Sequence, residues 1–163
     1  MLVLGKSTTV TKTLQCTIPA SAYPDTVEVS ASIVGEQLGK ILTNLQNLIG
    51  LPTGCAEQNL NKLMPDIIIL KYLKATGQLT SDLQLTLMKY ITAGYQNQLR
   101  FQQSNGIFTF FINFGNPSTW LNSYVTLAFY WASEYIQIDQ TIIERTLAFI
   151  LSKQQADGSF IES

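Results

Sequence analysis

Two residues of the chain are suited to chemistry by type and spacing: Cys55 and Gln58, three positions apart in the segment 51–60, LPTGCAEQNL. A thiolate is a good nucleophile toward an acyl group and also a good leaving group. Side chains three apart are neighbours on a helix, so near a helix start the Cys55 sulfur can reach the side-chain carbonyl of Gln58. Attack there expels ammonia and leaves an intrachain thioester, an acyl group held at high energy.

Such a bond needs support from its neighbours. A helix N-terminus stabilises a thiolate or an oxyanion, and exclusion of water protects the bond from hydrolysis. We therefore expect four adjacent residues to support the thioester: Gly54, Ala56, Glu57 and Asn59. Glu57 is predicted to be a first-turn carboxylate facing the helix dipole, and Asn59 to cap the helix or to be solvated.

Other kinds of site find little support in the sequence. The chain contains no histidine, which excludes Ser-His-Asp and Cys-His catalysis within it and removes the commonest metal ligand. No cofactor and no metal are predicted. Cys16 is interpreted as a strand-face residue or as half of a disulfide to a segment outside the chain. Core and interface packing, with some shielding of the reactive pair, is predicted for the aromatic residues Phe108, Phe110, Phe111, Phe114, Trp120 and Trp131.

The elements that position the pair follow from hydrophobic periodicity. Apolar residues alternate over 10–18 and 27–33, which predicts two half-buried antiparallel strands. The apolar positions of 38–49 then fall on one helical stripe, and Gly50 and Pro52 end that helix. Everything beyond is predicted to be helical, with starts at Pro65 as a first-turn residue and at the capping residues Ser81, Ser118 or Thr119, and Asp139.

A short repeat lies in the helical part. The segment 102–108, QQSNGIF, is similar to 154–160, QQADGSF. In each, a Gly after a helix end supplies the left-handed conformation and a Phe packs back. This pattern indicates stacked helix pairs, while the alternative is a coincidence of two common helix-stop signals.

Composition limits the partners. The 163 residues are enough for one domain with a core, but only 13% are charged while 46% are apolar. Such a low-charge surface is expected where other domains cover it. A net charge of −1 without a basic cluster predicts no nucleic-acid partner, and the apolar runs are too short to span a membrane. Residues 1–6, MLVLGK, lack the apolar length of a signal peptide, so the signal of a secreted parent is expected outside this chain.

The reactive segment resembles the thioester sequence of the alpha-macroglobulin and complement family, Gly-Cys-Gly-Glu-Gln, and the similarity continues through Asn59. Its flanks also resemble that family, over nearly the whole chain, at 45–48, Pro65, 72–73, 94–99, 118–121, Gln154 and 157–158. The resemblance implies a mainly α fold, an α/α toroid of helical hairpins preceded by two β-strands of a CUB-like β-sandwich. Residues 1–35 would be the C-terminal part of the CUB-like segment. Residues 36–163 would be the thioester-containing domain, incomplete at its C-terminus.

The same resemblance implies a function. The parent would be an extracellular, macroglobulin-like inhibitor of endopeptidases, serine proteases included, with a place in innate immunity. Neighbouring macroglobulin and CUB domains would cover the bond until proteolysis exposes it. A lysine amine or a hydroxyl on a protease or target surface would then take the acyl group from Gln58. Each thioester reacts once, so the protein would not be an enzyme.

One residue departs from the family pattern, and one position of that pattern lies outside the chain. Position 56 is Ala where the family has Gly, and a positive φ there would cost Ala about 1 kcal/mol or more. The acyl-transfer His of complement-like members would lie just past Phe160, beyond the end of the chain. Three alternatives remain: a complement-like opsonising protein, a triterpene-cyclase-like α/α toroid, and an interaction module with a dead site. The cyclase alternative lacks an Asp-rich motif.

Overall fold

A computed structural model describes residues 11, 13, 15–23, 27–30 and 47–162. Four helices hold most of them: α1 (Ala56–Ala75), α2 (Ser81–Leu99), α3 (Thr119–Ala132) and α4 (Gln140–Leu151). The chain divides into two units, Met1–Gly35 and Glu36–Ser163, and the four helices belong to the second. The described part is therefore mainly helical, as predicted.

The predicted β-strands are not confirmed. Within 10–18 and 27–33, the described residues have no regular secondary structure. The predicted helix at 38–49 lies outside the described residues except for its last three positions, where Asn47 and Leu48 form a turn. The CUB-like segment and the closure of a toroid accordingly remain predictions.

Helix α1 starts earlier than predicted. Pro65 is not a first-turn residue; it lies inside one continuous helix that begins at Ala56. Proline at an interior position removes one backbone hydrogen bond and is costly. The helix continues through it because α1 is packed on both sides of Pro65, with Leu60 and Ile69 both buried. Tertiary packing thus overrides a local stop signal.

The other helix starts agree with the predicted caps to within one residue. The hydroxyl of Thr80, one residue before the predicted Ser81, accepts a hydrogen bond from Leu83 N at 3.4 Å. Ser118 caps α3 by accepting from Leu121 N at 3.1 Å, and Asp139 caps α4 by accepting from Thr141 N at 2.9 Å. Each cap pairs an amide that the helix itself leaves unpaired.

The helices pack as two pairs, α1 with α2 and α3 with α4, and the pairs meet where α1 contacts α3. Gly94 of α2 allows a close approach: an added Cβ would lie 2.8 Å from Cγ of Pro52 and 2.9 Å from Cδ1 of Leu63. The segment before the reactive pair is thereby held against α2. The largest fully buried side chains of the described part are Phe108, Phe129, Leu60, Leu63, Ile67, Ile69, Leu70, Leu87, Ile91, Leu121, Gln98 and Val125.

The sequence repeat is a structural repeat. After α2, Gln103 N donates to Ile107 O at 2.8 Å, and after α4, Gln155 N donates to Ser159 O at 2.7 Å. Both turns carry a glycine in the left-handed region, Gly106 with φ +89° and Gly158 with φ +87°. The two antiparallel bridges, Gln102 to Phe108 and Gln154 to Phe160, also correspond. The interpretation as coincidence is therefore wrong, and the segments are equivalent hairpins that close equivalent helix pairs.

Asp66 of α1 is fully buried, which is unusual for an aspartate. Its Oδ1 accepts a hydrogen bond from Gly50 N at 3.3 Å, while its Oδ2 has no partner. Burial raises the pKa of this carboxyl from 3.8 to about 7, and the Gly50 hydrogen bond offsets part of that rise. Asp66 thus fastens the segment before the reactive pair to α1 through a group that ionises near neutral pH.

The raised pKa predicts a dependence of stability on pH. Between about pH 4 and pH 7 the native carboxyl keeps its proton while the unfolded one has lost it, so stability falls as pH rises through that range. Asp66→Asn keeps an acceptor for Gly50 and removes the charge. Between about pH 5 and pH 8, the wild type should lose about 2–3 kcal/mol of unfolding free energy that the variant keeps.

Chemical denaturation at the two pH values measures this difference. Asp82→Asn is the matched control, because Asp82 is exposed at the start of α2. Equal pH dependence in the wild type and in Asp66→Asn would show that Asp66 is paired or solvated in the native protein.

Candidate functional site

The structure brings Cys55 and Gln58 together at the start of α1. Cys55 is the N-cap, with extended backbone at φ −71° and ψ 175°, and Gln58 is the third residue of the helix. The Gln58 side chain folds back over the cap, where its Oε1 accepts a hydrogen bond from Cys55 N at 3.3 Å. The carboxamide that would donate the acyl group therefore lies against the residue that carries the thiol.

Gly54 makes room for this arrangement. Its φ is +98°, a conformation that favours glycine. A Cβ on Gly54 would also collide with Oε1 of Gln58 and lie 2.9 Å from the Gln58 Cβ. The predicted supporting role of Gly54 thus has two physical grounds, backbone conformation and space for the carboxamide.

Ala56 carries no backbone strain. It is the first residue of α1, and its φ is not positive, because Asn113 is the one non-glycine residue with a positive φ in the described part of the chain. Ala56 is fully buried, and its amide donates to Phe110 O at 3.1 Å. A methyl group is therefore accommodated where the family pattern has Gly.

Asn59 neither caps the helix nor faces solvent, so both predictions for it are wrong. It is fully buried between α1 and α2. Its Nδ2 donates to Gly94 O and to Gln98 Oε1, each at 2.8 Å. Its Oδ1 accepts from Asn97 Nδ2 at 2.8 Å. One residue after Gln58, this side chain fixes the first turn of α1 to the end of α2.

Two positioning residues escaped the sequence analysis, Phe110 through its carbonyl and Asn122. Asn122 of α3 accepts from Phe108 N at 2.9 Å and donates to Phe108 O at 3.0 Å. This clamp holds the loop after α2 in place. Two residues beyond Phe108, the Phe110 carbonyl of that loop accepts the hydrogen bond from the Ala56 amide. Its role could have been found from one sequence feature: Asn122 is a polar residue beside Leu121 on the apolar face of a helix.

Aromatic side chains stand beside the site. The rings of Phe110 and Trp120 are stacked with centroids 6.4 Å apart, and Tyr124 lies 5.6 Å from Trp120. Burial raises the pKa of Tyr124, and the negative charge of Glu57 adds to the rise. Glu57 is in the first turn of α1, as predicted. The aromatic group is tied to the start of α1 through the Phe110 carbonyl, while shielding of the reactive pair remains a prediction.

The remaining aromatic residues divide into two groups. Phe108 is fully buried, as predicted for the core, and Trp131 is half-buried under the ammonium of Lys71. Phe111 and Phe114 are exposed, by 55% and 72%, so neither is a core residue of this chain. These two rings contact each other on the loop between α2 and α3.

Two open recesses share Asn61 in their lining, and Gln58 lines one of them. One is lined by Thr53, Gly54, Gln58, Asn61 and Lys62, and the other by Asn61, Trp120, Ser123, Tyr124 and Leu127. Gln58 itself is exposed in this chain, and Cys55 is half-buried. A reactant thus has access to the carboxamide through the first recess.

The described residues offer no support for other kinds of site. In the described ranges, no group of three or more His, Cys, Asp or Glu residues is placed to hold a metal ion. None of the helices α1 to α4 is both long and apolar enough to cross a membrane. Cys16 is exposed and unpaired in the structure.

The packing of Gln58 over Gly54 predicts a specific cost for a methyl group there. Gly54→Ala should destabilise the chain more than Gly77→Ala, which also has a positive φ, +68°, but has no atom within 4 Å of the added Cβ. We expect about 1 kcal/mol for Gly77→Ala and at least about 1 kcal/mol more for Gly54→Ala, measured by chemical denaturation. Equal losses would mean that Gln58 does not occupy this space.

The chain is similar in sequence to known proteins. The family described as the A-macroglobulin TED domain matches residues 27–163. Alpha-2-macroglobulin-like protein 1 of Mus musculus is 35% identical to the chain over 160 residues. The match covers 98% of the chain and 11% of that relative, so the chain spans a small part of the relative's length. The chain belongs to the alpha-macroglobulin family and corresponds to the thioester-containing domain of that family.

Proposed function

We propose that Cys55 and Gln58 form an internal thioester and that the parent protein uses it to acylate targets. The observation that carries this proposal is the hydrogen bond from Cys55 N to Gln58 Oε1 at 3.3 Å. It holds the acyl group at the residue that supplies the thiolate, and such proximity is a large part of what an intramolecular acyl transfer needs.

Formation of the bond would proceed by addition and elimination. The Cys55 thiolate attacks Cδ of Gln58, and negative charge develops on Oε1, which faces the Cys55 amide at the positive end of α1. The C–N bond then breaks, the nitrogen takes a proton, and ammonia leaves. A C–S bond replaces the C–N bond, with no other change in the chain.

In transfer to a target, the sulfur would be the leaving group, whereas in formation of the bond it is the nucleophile. An amine or hydroxyl of the target attacks the acyl carbon, the C–S bond breaks, and Cys55 leaves as a thiolate that takes up the proton. The acyl group of Gln58 ends as an amide or ester to the target. Because no sulfur-bound acyl group is regenerated, the protein acts once and is not an enzyme.

Protection of the bond would come from elsewhere in the parent. Gln58 is exposed here, and water would hydrolyse an unprotected thioester. We assign the cover to neighbouring macroglobulin and CUB domains, with closure of the α/α toroid by further helix pairs. Exposed apolar residues such as Trp120 and Leu127 give such domains a surface to contact.

Within the family, inhibition of proteases by a secreted parent is the function we favour. The named relative is an alpha-2-macroglobulin-like protein, and residues 45–58 and 94–99 resemble the macroglobulin branch more than the complement branch. The family match and the isolated positions of the aspartates argue against a triterpene cyclase. The dead-site alternative rests on Ala56, and the helical backbone there argues against backbone strain as its cause.

Intact mass of the protein that contains this chain, at its full natural length, tests the thioester. The native protein should be lighter than its sequence by one ammonia, and methylamine should add at Gln58 while a thiol appears at Cys55. Cys55→Ala should abolish both changes, because no nucleophile remains. Cys16→Ala is the matched control and should behave as the wild type, since Cys16 is a free cysteine that is not one of the two proposed reactive residues.

The opposite result is equally clear. An unmodified Gln58 carboxamide and no methylamine capture in the full-length protein would reject the thioester and leave the dead-site interaction module.

A further inference from the structure

Lys62 of α1 lies in the same recess as the reactive glutamine. It is exposed, four residues after Gln58, and its Nζ donates to Oγ1 of Thr53 at 2.9 Å. Thr53 precedes the N-cap of α1, and helical side chains point back toward the helix N-terminus. To reach Thr53, the Lys62 side chain must run back past the turn that carries Gln58. Thr53, Gly54, Gln58 and Lys62 accordingly line one recess.

The partner of Lys62 leaves its amine available. The Thr53 hydroxyl is neutral, so the amine is not held in an ion pair within the described part of the chain, where Lys71 and Glu134 form the salt bridge. The other lysines of α1 contact other side chains, away from the recess. Lys71 is bound to Glu134, and the Lys74 ammonium lies over the ring of Tyr135 at 5.4 Å. Lys62 is thus a primary amine in the recess that Gln58 also lines.

We propose that Lys62 is an internal acceptor, which takes the acyl group of Gln58 and forms an isopeptide bond within α1. This inference rests on the proposed thioester. The neutral amine of Lys62 attacks Cδ of Gln58, the C–N bond forms and the C–S bond breaks. The proton lost from nitrogen goes to the departing Cys55 sulfur, which ends as a free thiol.

The helix itself permits such a bridge. Residues four apart lie one above the other on a helix, so a side-chain amide between positions 58 and 62 needs no change of backbone. An amine tethered in the recess competes with target amines through its high effective concentration. Internal capture thereby sets a limit on how long an exposed acyl group remains available to a target.

The product is distinguishable from the thioester although both have lost one ammonia. In the thioester Cys55 is blocked and Lys62 is free, whereas in the isopeptide Cys55 can be alkylated and Lys62 is acylated. Trypsin cleaves after a free lysine but not after an acylated one. The isopeptide should therefore appear as one tryptic peptide, 41–71, that is uncleaved at Lys62, lacks one ammonia and carries an alkylated Cys55.

The experiment uses the full-length protein, incubated with and without methylamine after proteolytic activation, then alkylated with iodoacetamide and digested. We expect the 41–71 peptide without methylamine and its loss as methylamine is raised. Lys62→Arg should abolish it, because a guanidinium is not acylated, and should increase methylamine capture at Gln58. Lys74→Arg is the matched control on the same helix and should leave the peptide unchanged.

Two results would overturn the inference, and they differ in what they imply for the proposed function. Complete cleavage at Lys62 together with methylamine capture at Gln58 would reject internal transfer and leave the proposed function intact. A Gln58 that keeps its carboxamide and captures no methylamine would reject both, because there would be no acyl donor.

Discussion

The hydrogen bond between the Ala56 amide and the Phe110 carbonyl, 3.1 Å long, fixes the end of α1 on which the site is built. A helix start leaves several amides unpaired, and an unfixed start would fray. Here one amide is paired by a loop that Asn122 clamps to α3, and Asn59 fastens the same turn to α2. The first turn of α1 is held from two sides, while the Cys55 amide is left to face the carboxamide of Gln58.

In the second helix pair, the start of α3 is held by comparable hydrogen bonds, but no reactive Cys and Gln pair lies there. There the segment after the hairpin returns to the start of α3, where Thr119 Oγ1 donates to Ile161 O at 2.7 Å and Trp120 N donates to Glu162 Oε2 at 2.9 Å. Asn122 is the fourth residue of α3, as Asn59 is the fourth of α1, and both are fully buried. The reactive pair thus occupies a position that the fold already stabilises in each pair of helices.

Much of this could be predicted from the sequence because it is local. The spacing of Cys55 and Gln58, the Gly at position 54, two helix caps and the equivalent hairpins all follow from residues close together in the chain. Asn59 could not be interpreted correctly, since its partners Gly94 and Gln98 lie on another helix. Pro65 was misleading because the packing that carries α1 through it is tertiary. The Ala56 amide, similarly, depends on a carbonyl 54 positions later, at Phe110.

The hydrogen-bonded helix start that the two pairs share has a consequence for how such domains diverge. Burial and hydrogen bonding at the start of α1 are supplied by Ala56, Asn59 and the Phe110 carbonyl, and none of these needs the sulfur. A descendant that replaced Cys55 by serine would forfeit its reactivity yet inherit an intact architecture. Chemistry and architecture at this position can therefore be gained or lost separately in evolution.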